Sequence, residues 1–156
     1  MSETGGSGFE LDPRLAHDTM FVVDWQLCRV LLMDDARFPW LVLVPRRPGL
    51  AELVDLGEGD RVTLSHETDR AMRLLRAVAP CDKLNVGALG NIVRQLHVHL
   101  VARRTDDKAW PGPVWGHGSA EPYPPDRRDR LVALLRRDDP AEVEGPAYIL
   151  RRSDDD

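Results

Sequence analysis

The chain has 156 residues, 42% hydrophobic and 30% charged, with a formal net charge of −5. That length suits about one domain with a core that needs neither metal nor disulfide. The acidic balance argues against a nucleic-acid backbone binder, and no apolar run approaches the ~18 residues of a membrane span. Cys28 and Cys81 lie far apart without a CxxC spacing, so they read as buried reduced thiols of a cytoplasmic protein. The N-terminus lacks the basic-then-apolar pattern of a secretory signal.

In chain order, residues 1–9 are expected to form a mobile leader, residues 10–116 the main domain and residues 117–156 a C-terminal extension ending in an acidic tail. Phe9–Thr19 suits a short helix or turn. Phe21–Met33 reads as two strands joined around Trp25–Gln26, and Trp40–Val44 as a third after the Asp34–Pro39 turn. Gly57–Pro80 is the clearest helix. Leu64, Thr68, Ala71, Leu75 and Val78 recur at spacings of three and four, widened by Met72 and Leu74, while His66, Asp69, Arg70, Arg73 and Arg76 face water. Pro80 ends it.

Lys83–Gly87 reads as a short strand that pairs with Leu96–Ala102 as a hairpin, which places Asn85 on the face of His97 and His99. The stretch Leu89–Arg104 organises the rest. Its period-two alternation sets Gln95, His97, His99, Val101 and Arg103 on one face and Leu96, Val98, Leu100 and Ala102 on the other, so one face is expected to be core and the other chemistry. Trp110–Gly116, interrupted by Pro111 and Pro113, is a loop pinned by its tryptophans or a lid or dimer contact over the histidine face. A second amphipathic helix is expected over 126–137, and Tyr148–Leu150 is the one part of the Ala141–Asp156 tail with ordering residues.

Two histidines at spacing two fit three chemistries before any comparison: a half-exposed strand, an HxH metal half-site completed by His117 or a carboxylate, or a nucleophile with a partner. Gln95–Val101 (QLHVHLV) resembles the histidine-triad motif with Gln in place of the first His. The surrounding order also matches: Met33–Asp34, then Leu41–Pro45, a long helix, Lys83–Asn85, and Gly90–Asn91 just before the motif. Over about Leu11–Gly116 the chain resembles the bacterial histidine-triad hydrolases.

The resemblance implies an α+β fold: a roughly five-stranded antiparallel half-sheet with the Gly57–Ala79 helix on one face and the histidine site on the other. It also implies a homodimer in which two half-sheets join. The implied activity is hydrolysis of a nucleoside 5′-phosphate derivative, such as a dinucleoside polyphosphate or a nucleoside phosphoramidate. In that scheme His97 attacks the α-phosphorus, Gln95 orients His97 through its backbone carbonyl, and His99 stabilises the phosphate oxygens. Asp34 would hold ribose hydroxyls, Asn85 phosphate or ribose, Asn91 the region of the scissile bond, and Arg103 phosphate. No metal or other cofactor is required, although Mg²⁺ would neutralise a polyphosphate leaving group. Ile92 stands where the family often has a hydroxyl, and Arg37–Trp40 replaces its Pro-Gly-His turn. These departures leave a rival reading of a catalytically weak nucleotide-binding or sensing module.

Overall fold

The computed structural model describes residues 8–137. The fold is α+β, and its order is α1 (Pro13–Asp18), β1 (Thr19–Asp24), β2 (Cys28–Met33), β3 (Trp40–Pro45), α2 (Glu58–Val78), β4 (Lys83–Gly87), β5 (Val98–Arg103) and α3 (Pro125–Leu135). The strands form one antiparallel sheet in the order β1-β2-β3-β5-β4. Every residue of β3 is buried, because this central strand is covered on both faces and its sequence WLVLVP is apolar throughout.

Alternation along β3 and β5 divides the apolar residues between two cores. Leu41, Leu43, Leu96, Val98, Leu100 and Ala102 pack beneath α2 with Leu64, Ala71, Leu75 and Val78. Trp40, Val42, Val44 and Val101 face the other way and build a second core with Leu15, Leu31, Phe38 and Val114. The face expected to be chemistry alone is therefore chemistry set into a core. An apolar surround excludes water from polar groups placed within it.

α2 runs as its periodicity requires, with Glu58 and Asp60 in the first turn, where the helix dipole favours acidic side chains. Its buried stripe differs from expectation: Met72 is only half-buried, and Glu67 takes the place of Thr68. Thr68 is half-buried, while Glu67 is buried and accepts hydrogen bonds from the Leu27 and Cys28 backbone N–H groups at 2.8–3.2 Å. The helix thereby fastens the β1–β2 turn to itself. Cys28 is buried as expected, but Cys81 is only half-buried.

Other boundaries shift. β5 begins at Val98, so Gln95 and His97 precede the ladder; the Leu96 N–H donates to the Leu50 carbonyl rather than to a strand. α3 packs on α2 and β1, and the Arg136 Nε donates to the Val22 carbonyl. Phe9, the last residue of the expected leader, packs against the second core beneath the Arg29 guanidinium. Most of that leader, and the acidic tail with Tyr148–Leu150, lie outside the described residues. No helix among the described residues is long and apolar enough to cross a membrane.

Candidate active site

Antiparallel register decides which side chains meet. Trp40 pairs with Val101 and Val42 with His99, so even-numbered residues of β3 share a face with odd-numbered residues of β5. Asn85 and Gly87 of β4, opposite Val101 and His99, fall on that face as well. His97 and His99, each 6% exposed, sit with ring centroids 4.8 Å apart at the floor of a cavity of about 650 Å³.

The two imidazoles are held in opposite tautomers. The Nδ1 of His97 lies 2.7 Å from the Gln95 carbonyl oxygen. A carbonyl only accepts, so Nδ1 carries the hydrogen and Nε2 keeps its lone pair. The indole Nε1 of Trp40 lies 3.0 Å from the Nδ1 of His99. An indole only donates, so His99 Nδ1 accepts and its hydrogen sits on Nε2. Burial first, and then the neighbouring His97, pushes His99 down from 6.5 to about 4. With both rings neutral the site thus offers one nitrogen lone pair beside one N–H donor.

Aromatic packing fixes the His99 ring. Trp40 lies at a centroid distance of 5.5 Å and Trp115 at 5.5 Å, the latter near perpendicular at 70°. Trp115 comes from the Pro-rich loop, so that loop is pinned by this aromatic against the site. Gly87 brings β4 close beneath the Trp115 ring and Leu89, each 3.4 Å from where a Cβ would stand.

The expected binding residues separate into two groups. Asp34 and Asn91 line the cavity, together with Ile92, Val93, His17, Asp18 and His117. Asp34 Oδ1 accepts from the Tyr123 N–H at 2.9 Å, which orients the carboxylate and leaves Oδ2 to accept from a diol. Asn85 and Arg103 do not line it. The Arg103 side chain is 1% exposed, makes a fork with Asp107 at 2.7 and 3.0 Å, and donates to Asn85 Oδ1 at 2.9 Å. This pairing directs both residues to the end of β5 rather than to a ligand.

The side chain of Gln95 turns away from His97. Its Oε1 accepts from the Asp12 N–H and its Nε2 donates to the Glu10 carbonyl, both at 2.8 Å, so the amide fastens the chain entering α1. Among the residues that sequence reasoning missed, Trp40 is the most consequential. Its role follows from strand parity once β3 is known to pair with β5. Asp35 and Arg37 were missed too. Burial raises the Asp35 carboxyl, but the Arg37 guanidinium and the Arg37 and Glu121 N–H groups outweigh it and hold Asp35 below the usual range. Arg37 also donates to the His117 carbonyl, so the cavity's arginine has partners already. Among the described residues, no group of three or more His, Cys, Asp or Glu is arranged to hold a metal ion.

The HIT domain family model matches residues 14–106. A histidine triad protein from Bradyrhizobium japonicum is 45% identical, with 83% of this chain and 96% of that one covered and a TM-score of 0.81. One from Sinorhizobium meliloti is 45% identical over 84% and 97% of the two chains, with a TM-score of 0.81. One from Marinobacter aquaeolei is 41% identical over 82% and 93%, with a TM-score of 0.80. No curated protein gives a significant match.

Proposed function

Since the chain belongs to the HIT domain family, a nucleotide-binding, hydrolase-type function follows in general, and we propose that it hydrolyses nucleoside 5′-phosphate derivatives at the α-phosphorus through a nucleotidyl-histidine intermediate. The observation that carries this reading is the pair of opposite tautomers. An unprotonated His97 Nε2 attacks without first losing a proton, and the covalent route divides a hard displacement into two easier ones. The neutral His99 Nε2–H donates to a non-bridging oxygen as charge develops on it.

In the first half the His97 Nε2–P bond forms while the bond from phosphorus to the leaving group breaks. In the second half water forms the P–O bond and the P–N bond breaks, which releases the nucleoside monophosphate and restores His97. The leaving group is that of a dinucleoside polyphosphate or a nucleoside phosphoramidate. The attack runs without a metal, and Mg²⁺ serves only to neutralise a polyphosphate. Within the same reading Asp34 holds the ribose through Oδ2, Asn91 lies near the scissile bond, and the protein works as a homodimer in the cytoplasm, where Cys28 and Cys81 stay reduced.

The test is AMP release from diadenosine tetraphosphate and from adenosine phosphoramidate by wild type and His97→Ala, with and without chelator. Chelator-tolerant release that His97→Ala lowers by at least about 10³-fold supports the reading. Equal rates in the two proteins overturn it. The rival reading, a binding module, draws on Ile92, which places an apolar side chain at the cavity where the family often has a hydroxyl. It predicts bound AMP with no turnover of either substrate.

A further inference from the structure

The proposed reaction needs two proton transfers that the motif leaves unassigned. A poor leaving group must receive a proton as it departs, and the attacking water must lose one. His97 uses Nε2 as the nucleophile and commits its Nδ1–H to the Gln95 carbonyl. His99 receives a hydrogen bond on Nδ1, and its one remaining N–H faces the phosphate in the scheme above. Ile92 has no hydroxyl. The Gln95 amide is occupied by Glu10 and Asp12.

Two further imidazoles line the cavity from outside the motif, His17 and His117, and His17 is the one whose ring contacts a neighbouring carboxylate. His17, in the last turn of α1, lines the cavity with its side chain 88% exposed, and its Nδ1 lies 3.0 Å from Oδ1 of Asp18, itself 61% exposed, so a bound substrate rather than the fold covers the pair during reaction. Its mounting is specific. Gln95 grips the backbone on both sides of Leu11, and Asp12 then caps α1 by accepting from the Arg14 N–H at 2.8 Å. A histidine at position 95 could not both donate to Glu10 and accept from Asp12 with the spacing of a primary amide.

We propose that the imidazole missing from the motif is supplied by His17, as the proton-transfer residue of this site, and that Gln95 is the positioning residue that holds α1 over the cavity. The inference rests on His97 being the nucleophile. As the bond to phosphorus breaks, its electron pair goes to the leaving atom and the His17 Nε2 proton joins that atom, while Nδ1–H stays on Asp18. In the second half His17 Nε2 takes a proton from water as the water oxygen bonds phosphorus, and the P–N pair returns to His97.

The experiment compares first-turnover release from two adenosine 5′-phosphate esters, p-nitrophenyl and p-methoxyphenyl. The first leaving group departs as an anion with ease, whereas the second depends on a proton donor. His17→Ala is expected to raise the ratio of the two rates by about 10²-fold, in line with general acid catalysis. Gln95→Ala is expected to raise it in the same direction by less, and the double variant no further than His17→Ala. A ratio in His17→Ala unchanged from wild type, including the case in which both esters slow equally, overturns the proposal and assigns His17 a structural role. If His97→Ala releases p-nitrophenol as fast as wild type, the nucleophile assignment itself has failed, which is a different result.

Discussion

At the scale of single residues, the hydrogen bond from Trp40 to His99 has a pH consequence. A proton added to His99 must go onto Nδ1, where it meets the indole N–H donor-to-donor, and burial penalises the resulting charge as well. Unfolded, His99 takes up its proton near 6.5; folded, only near 4. Between those values the unfolded chain binds more protons, so stability is present above about pH 6.5 and is lost as pH falls toward 4, by of order 3 kcal/mol. Urea unfolding at pH 7 and pH 4.5 checks this. His99→Gln should shrink the difference between the two pH values by about 2 kcal/mol, and an unchanged difference would refute the assignment. The pairing of His97 with His99 on one face was legible from period-two spacing. The His97 tautomer follows from the Gln95 carbonyl that the resemblance already implied, whereas that of His99 was not legible, because it is set by a tryptophan 59 positions away.

Elements follow the sequence pattern where one face decides and depart from it where a polar group is buried. β3 could be read from its short apolar run, the β4–β5 hairpin from alternation, and α2 from its three-and-four spacing. Glu67 could not, since a glutamate among apolar positions reads as a solvated face. Its burial makes sense only with the β1–β2 turn in place. Removing its carboxylate leaves the Leu27 and Cys28 N–H groups buried without an acceptor, each costing about 1–3 kcal/mol. Glu67→Ala is therefore expected to lose about 3 kcal/mol in urea unfolding, and Glu67→Gln, which keeps one carbonyl acceptor, less than half of that. The same turn holds Cys28, whose thiol is pushed up by burial first and by Glu67 second. Loss of the fastening should make Cys28 reactive to a thiol reagent well below the unfolding midpoint. If Cys28 stays as protected in Glu67→Ala as in wild type, the helix is not what holds the turn closed.

At the scale of the whole molecule, the sheet has an open edge at β4, and apolar residues beside it are exposed: Val86 at 46% and Leu53 at 48%. They flank a groove of about 520 Å³ between β4 and α2. An edge strand with an uncovered apolar flank invites pairing with a second copy across a two-fold axis, where the same patch serves both subunits. This is the surface through which the proposed homodimer would extend the sheet. Val86 shares the α2 side of β4 with Leu84, opposite the face of Asn85 and His99, so a change there should disturb assembly before it disturbs the cavity. Light scattering on the wild type should give twice the chain mass at micromolar concentration, and Val86→Lys should shift it toward the monomer. AMP release measured on that variant then separates two cases. Retained turnover in the monomer means that each half-sheet carries a complete site, whereas turnover that falls in step with dissociation means that the partner supports the cavity. A wild type that stays monomeric throughout removes the dimer from the proposal and leaves the β4 edge for a different occupant.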